Sequence, residues 1–246
     1  MNKKEKLIKS MDLIKESWQV YAKNLMKFIE VFVYGLVGVI PMFGVLILIV
    51  LYARFLGNSA PVAVNVILGI IAFAAFIASV YLAIVYGIRS KVASILLIKN
   101  NFTSAKENFD EAKPYFVKFL GVSMLLVVLV IAWGFVLFIP AIIFAVYYGF
   151  AQYTLVVDGK RPFSAIERSY DLVKGYWWPV FGRFCLVSAI GIVIYSIISA
   201  PLKGMQEGEM AALLYNVFVN IIWAILSPYF LIYSYKVYES LKKTNK

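Results

Sequence analysis

Long apolar runs alternate along this chain with short clusters of lysine, arginine and acids. Runs with little or no charge cover residues 28–51, 62–86, 119–157, 176–199 and 211–235. A helix rising ~1.5 Å per residue needs about 20 apolar residues to cross a hydrocarbon core ~30 Å thick. The third run, with its 39 residues, would reach ~58 Å as one helix, about twice that thickness. Pro140 sits near its middle, where its missing N–H and the restriction on Ile139 favour a break. The pattern therefore predicts a span over 119–138, a tight turn, and a span over 141–157, for six spans in all.

Between the runs lie amphipathic segments. Leu7, Met11, Ile14, Trp18, Tyr21 and Leu25 recur at helical spacing, as do Ala105, Phe109, Ala112 and Phe116, and again Phe163, Ile166, Tyr170, Val173 and Trp177. Ser104-x-x-Glu107 and Ser164-x-x-Glu167 read as capping boxes. The segment from Phe102 to Phe116 matches that from Phe163 to Trp177 at an offset of 61, which also sets Asn108 on Ser169, Phe109 on Tyr170 and Pro140 on Pro201. A weaker third copy runs from Glu16-Ser17-Trp18 to Lys23. The expected fold is all-α: six transmembrane helices in three parallel hairpins, each led by a surface helix, within one membrane domain. The repeat units cover about 1–101, 102–162 and 163–246. Each surface helix has two readings. Its apolar stripe either rests in the headgroup layer or packs on the ends of the spans.

Charge orients this scheme. Lys and Arg number seven in 1–27, six in 89–118, five in 160–183 and four in 236–246, while Arg54 and Lys203 alone fall on the opposite side. By the positive-inside rule both chain ends face the cytoplasm, in a plasma membrane. Residues 1–9 are basic, but the run after them is too long for a signal-peptide core, so an uncleaved first span is expected. The net charge of +11 follows from the basic side meeting anionic lipid. Because it is divided among four short segments, it does not point to nucleic acid. Composition agrees with a bilayer: 63% of residues are apolar and 15% charged, against ~45–50% and ~25% in soluble domains. The mean hydropathy is +0.84.

The run from Ala165 through Glu167-Arg168-Ser169-Tyr170-Asp171-Leu172-Val173-Lys174-Gly175-Tyr176 to Trp177-Trp178 resembles the membrane domain of some bacterial glycerophosphodiester phosphodiesterases. Allied stand-alone prokaryotic membrane proteins share the pattern. Tyr170 stands where that pattern has Trp, which Ser17-Trp18 keeps. The resemblance implies topology. The catalytic barrel of those enzymes, with its histidines, has no counterpart in this chain, so the activity is not carried over.

Candidate chemistry is sparse. There is no histidine, and Cys185 is the one cysteine, which removes imidazole-based zinc sets, Ser-His or Cys-His nucleophiles and any internal disulfide. No catalytic residue, metal site or cofactor is expected, and no GxxxxGK[ST] motif occurs. Glu30 and Arg183 are the ionisable residues within spans. Either Arg183 snorkels while Glu30 pairs with Lys27, or the two pair with each other and tie the first repeat to the third. No carboxylate lies at mid-membrane, which disfavours ion-coupled transport. Asn216 and Asn220 with Ser227 on the sixth span, and Asn65 on the second, read as helix–helix glue or as a solute pathway. Pro41-Met42-Phe43-Gly44 reads as a proline kink or as an unwound binding segment.

The sequence thus points to a non-enzymatic membrane module that handles lipid or solute, or docks a partner, at the inner leaflet. Trp18, Phe109 and Tyr170, with Lys23, Lys113 and Lys174, are the expected interfacial anchors. Membrane lipids are the expected partners, beside a protein partner or a second copy of the chain. The alternative is the permease subunit of an ATP-driven exporter, with residues 103–113 as coupling helix and a nucleotide-binding subunit as partner. Threefold repetition argues against it.

Overall fold

The computed structural model describes residues 7–56, 59–136, 138–204 and 210–244. Among them are ten α-helices and no strand: α1 (Ser10–Leu36), α2 (Ile40–Phe55), α3 (Val62–Lys99), α4 (Ala105–Glu111), α5 (Phe116–Val136), α6 (Phe138–Tyr148), α7 (Ala151–Val157), α8 (Pro162–Val173), α9 (Trp177–Ser199) and α10 (Met210–Thr244). Five stretches are long and apolar enough to cross a membrane: α3, Ala105–Trp133 with α5 as its apolar part, Ile139–Val157, Trp177–Leu202 and α10. The pair α1 and α2, bent by 43°, makes a sixth if it is one span.

Several boundaries differ from the sequence pattern. The first surface segment does not end before its span, because α1 runs unbroken from Ser10 to Leu36. No glycine or proline interrupts it until Gly35. The chain then turns at 37–39, and Pro41 falls in the first turn of α2, where its missing N–H removes no helical bond. Pro41 through Gly44 is therefore helical, not unwound, and the bend lies just ahead of the proline. Pro140 is helical as well. Helix α6 already begins at Phe138, so 139–140 is not a turn; residue 137 lies outside the described set. A second interruption, at Gly149–Phe150, divides the stretch read as one span over 141–157 into α6 and α7.

The surface helices are shorter than their stripes. Phe116 opens α5 and Trp177 opens α9, so neither belongs to the preceding surface helix. Ser104 caps α4 as expected, its Oγ accepting from the Glu107 N–H at 3.5 Å. Ser164 is no cap, since α8 starts two residues earlier, with Arg161 at the cap and Pro162, preset to helical φ, in its first turn. Helix α3 continues 13 residues past Tyr86, so Arg89, Lys91 and Lys99 stand on helix rather than in a loop. It ends with Asn101 left-handed (φ 51°) and the Phe102 N–H returning to the Leu97 carbonyl at 2.7 Å, a Schellman-type closure.

The chain divides into two compact units, one of Met1–Phe28 with Lys118–Lys246 and one of Ile29–Val117, a division that does not follow the repeat boundaries. In the second unit the core is Val92, Ala93, Ile95, Leu96 and Leu97 of α3 against Ala105, Phe109 and Ala112. Helix α2 buries no residue. In the first unit the fully buried large side chains include Leu13, Phe119, Phe150, Leu172, Tyr233 and Tyr238. Packing thus concentrates at the ends of the long helices that carry Lys and Arg, and mid-helix apolar side chains lie exposed. Such a surface is costly in water and ordinary against lipid tails.

Candidate functional site

The surface segments carry the site, and a small side chain seats two of them. On α1 the buried positions are Leu13, Ser17, Tyr21, Phe28 and Val31, while Met11 and Trp18 are exposed at 61% and 54%. Of the stripe Leu7, Met11, Ile14, Trp18, Tyr21 and Leu25, Tyr21 is buried, Leu7, Ile14 and Leu25 are half-buried and Met11 and Trp18 are exposed, so the packed face is rotated from the stripe and shares Tyr21 with it. Hydrophobicity does not mark the packed face when lipid also accepts apolar groups. On α4 the buried set is Ala105, Asn108 and Phe109, and on α8 it is Ala165, Ile166, Ser169, Leu172 and Val173.

Next to each buried Ser17, Asn108 and Ser169 stands an aromatic that meets a tyrosine of a long helix. Trp18 lies 6.1 Å from Tyr229 of α10, Phe109 6.0 Å from Tyr86 of α3, and Tyr170 4.5 Å from Tyr147 of α6, between ring centroids. Two more rings join these steps. Tyr21 lies 5.5 Å from Trp18 and donates its hydroxyl to the Ile225 carbonyl at 3.0 Å, and Tyr34 lies 5.4 Å from Phe109. The three tyrosine partners escaped the sequence reading, although the offset of 61 already sets Tyr86 on Tyr147.

Each seat is held differently. Ser169 enters the break between α6 and α7: its hydroxyl accepts from the Phe150 N–H at 3.1 Å and donates to the Tyr147 carbonyl at 2.7 Å. Thr154 shares its proton between the carbonyls of Ala151 and Ala165, at 2.9 and 2.8 Å, and so ties α7 to α8. Asn108 donates to Thr103 Oγ1 and the Ser104 carbonyl and accepts from Asn100, which also donates to Glu111. The Ser17 hydroxyl is buried without a hydrogen-bond partner among the described residues.

Two buried arginines pin backbone. Arg89 donates from Nη2 to the Phe109 carbonyl at 3.1 Å, lies 3.6 Å from Asp110 Oδ1, and places its guanidinium carbon 4.2 Å from the Phe109 ring centre and 5.3 Å from that of Tyr86. This residue was not singled out in the sequence; a lone arginine before a basic segment gives no signal of burial. Lys113 lies 2.9 Å from Asp110 and, as hydrogen-bond donor and charge, holds that carboxyl below its ordinary range, against some desolvation. Arg183 does not snorkel: it is buried, with Nη1 on the Pro179 carbonyl at 3.0 Å and Nη2 on the Ile8 carbonyl at 2.7 Å. Glu30, in the other unit, is exposed.

Lys23 and Lys174 are exposed. Asn65 accepts from the Tyr52 hydroxyl and donates to the Ala60 carbonyl at 3.3 Å. Asn216 and Asn220 are exposed, and their amides donate to carbonyls one turn back on α10, those of Ala212 and Asn216. The Ser227 hydroxyl donates to the Ala224 carbonyl at 2.8 Å, which Pro228 leaves without its usual N–H. Among the described residues no group of three Cys, Asp or Glu side chains is placed to hold a metal.

No protein-family model matches this chain, and no curated protein and no solved structure matches it.

Proposed function

We propose that this chain is a non-enzymatic membrane module of six spans in three like-facing hairpins, which handles lipid or solute or docks a partner at the inner leaflet. Both chain ends are cytoplasmic in this reading, and the chain is kin to the membrane domain of the glycerophosphodiester phosphodiesterases. The observation that carries it is the triple aromatic step. Trp18, Phe109 and Tyr170 each meet a tyrosine of the return span of the preceding hairpin, with α10 serving the first surface segment. The same step thus recurs once in each of the three repeats. Lys23, Lys113 and Lys174 follow the aromatics by four or five residues. Aromatic rings with nearby lysines suit the headgroup level.

An aromatic pair contributes about 0.5–1.5 kcal/mol beyond its buried area. Replacing Trp18, Phe109 and Tyr170 together by alanine is expected to reduce the carbonate-resistant membrane fraction and to strip lipid or protein that co-purifies in mild detergent. Unchanged insertion, oligomeric state and co-purified material would overturn the reading. Co-purification of a nucleotide-hydrolysing subunit would favour the exporter instead.

A further inference from the structure

Within the first unit, α6 and α9 leave a groove of about 520 Å³ between them. Ile139, Ile142 and Ile143 form one wall, and Trp177, Trp178 and Phe181 the other. The aromatic wall is fixed. The Trp177 indole N–H donates to the Ile143 carbonyl at 3.1 Å, its ring stacks on Phe181 at 4.9 Å and 12°, and Trp178 stands across it at 4.8 Å and 88°. With the indole N–H of Trp177 engaged, the side chains of these two walls offer a single polar group, the Trp178 indole N–H, so the groove offers little to a sugar, a nucleotide or a polar solute. It suits a hydrocarbon. At roughly 30 Å³ for a water-sized methylene, its volume matches about 17 methylenes, the length of one acyl chain.

The groove also has a polar end. Tyr147 lines it and carries Tyr170 of α8 on its ring at 4.5 Å. Exposed Lys174 lies one helical turn after Tyr170 and three residues before Trp177, across the left-handed turn at Gly175 (φ 87°). A cation at the end where α8 meets α6 complements an anionic headgroup, while the rings line the path of the tail.

We propose that this groove holds one acyl chain of an anionic membrane phospholipid, whose headgroup meets Lys174. The proposal rests on the membrane-module reading above. The full chain is reconstituted in vesicles of equal phosphatidylglycerol and phosphatidylcholine, re-extracted in mild detergent, and the lipid retained is counted by native mass spectrometry. One phosphatidylglycerol per chain is expected. Ile142→Trp, which fills the groove, is expected to lower retention at least fivefold, and Lys174→Gln to abolish the preference over phosphatidylcholine. Val193→Trp, on another exposed stretch of α9, is expected to change neither. Should Ile142→Trp fail to fold, Trp178→Ala, at a residue 74% exposed, gives the same comparison. The proposal is overturned if the wild type retains no lipid or both lipids equally. It is also overturned if the groove variants retain as much as the wild type, or if Val193→Trp loses as much as they do. In each case carbonate-resistant insertion leaves the membrane reading standing; a chain washed off by carbonate removes that reading instead.

Discussion

Ser169→Ala tests how α8 is seated. The Ser169 hydroxyl is fully buried and joins the Phe150 N–H to the Tyr147 carbonyl across the break between α6 and α7. Removing it orphans two backbone groups where water cannot replace the bonds. A buried unsatisfied group costs about 1–3 kcal/mol, while interhelical bonds in membrane proteins average nearer ~0.6 kcal/mol. The expected loss for the pair is about 1–4 kcal/mol. Ser17 occupies the same place in its repeat, but its hydroxyl has no partner among the described residues, so Ser17→Ala should change stability by less than about 0.5 kcal/mol or raise it. Both variants are measured by titrating dodecyl sulfate into mixed micelles and following helicity. Equal losses for the two, or a loss below ~0.5 kcal/mol for Ser169→Ala, would refute the assignment of Ser169 as the group that satisfies this break.

Three further outcomes follow from the second unit. A Cβ on Gly38 would lie 2.4 Å from the Tyr86 Cβ and 2.8 Å from the Leu82 carbonyl, so Gly38→Ala should cost about 1–3 kcal/mol in the same titration, whereas Gly44→Ala, with open space around it, should be neutral or stabilising. Arg89→Ala should cost about 2–4 kcal/mol through its charged hydrogen bond and ring contacts, and Arg89→Met, which keeps the packing, clearly less. The lowered pKa of Asp110 means its contribution is present above the ordinary carboxylate value of 3.8 and is lost as pH falls through the lowered one; Asp110→Asn should remove that acid limb from a melting-temperature profile.

The apolar runs and the need to cross ~30 Å made legible in advance that the described residues form helices and no strand, five or six of those helices being long and apolar enough to cross a membrane. Repetition at an offset of 61 also marks Phe109 and Tyr170 together, the two rings that meet Tyr86 and Tyr147. What was hidden has physical causes. The packed face of α1 was legible only at Tyr21, because lipid rewards Met11 and Trp18 as well as protein rewards Leu13. The break in α6–α7 escaped because it is stabilised from outside, by Ser169, which no local pattern reveals. Proline misled by position: Pro41 stands within the first turn of α2, so it follows its break instead of occupying it, and Pro140 is helical.

Membrane sidedness is the claim on which the proposed module depends, and cysteine accessibility reads it most directly. In a Cys185→Ser background, single cysteines at Ser59, Lys99 and Lys160 are exposed on intact cells to a membrane-impermeant maleimide, then again after permeabilisation. The account predicts labelling of Ser59→Cys from outside, and of Lys99→Cys and Lys160→Cys after permeabilisation alone. Labelling of either lysine position on intact cells would contradict it.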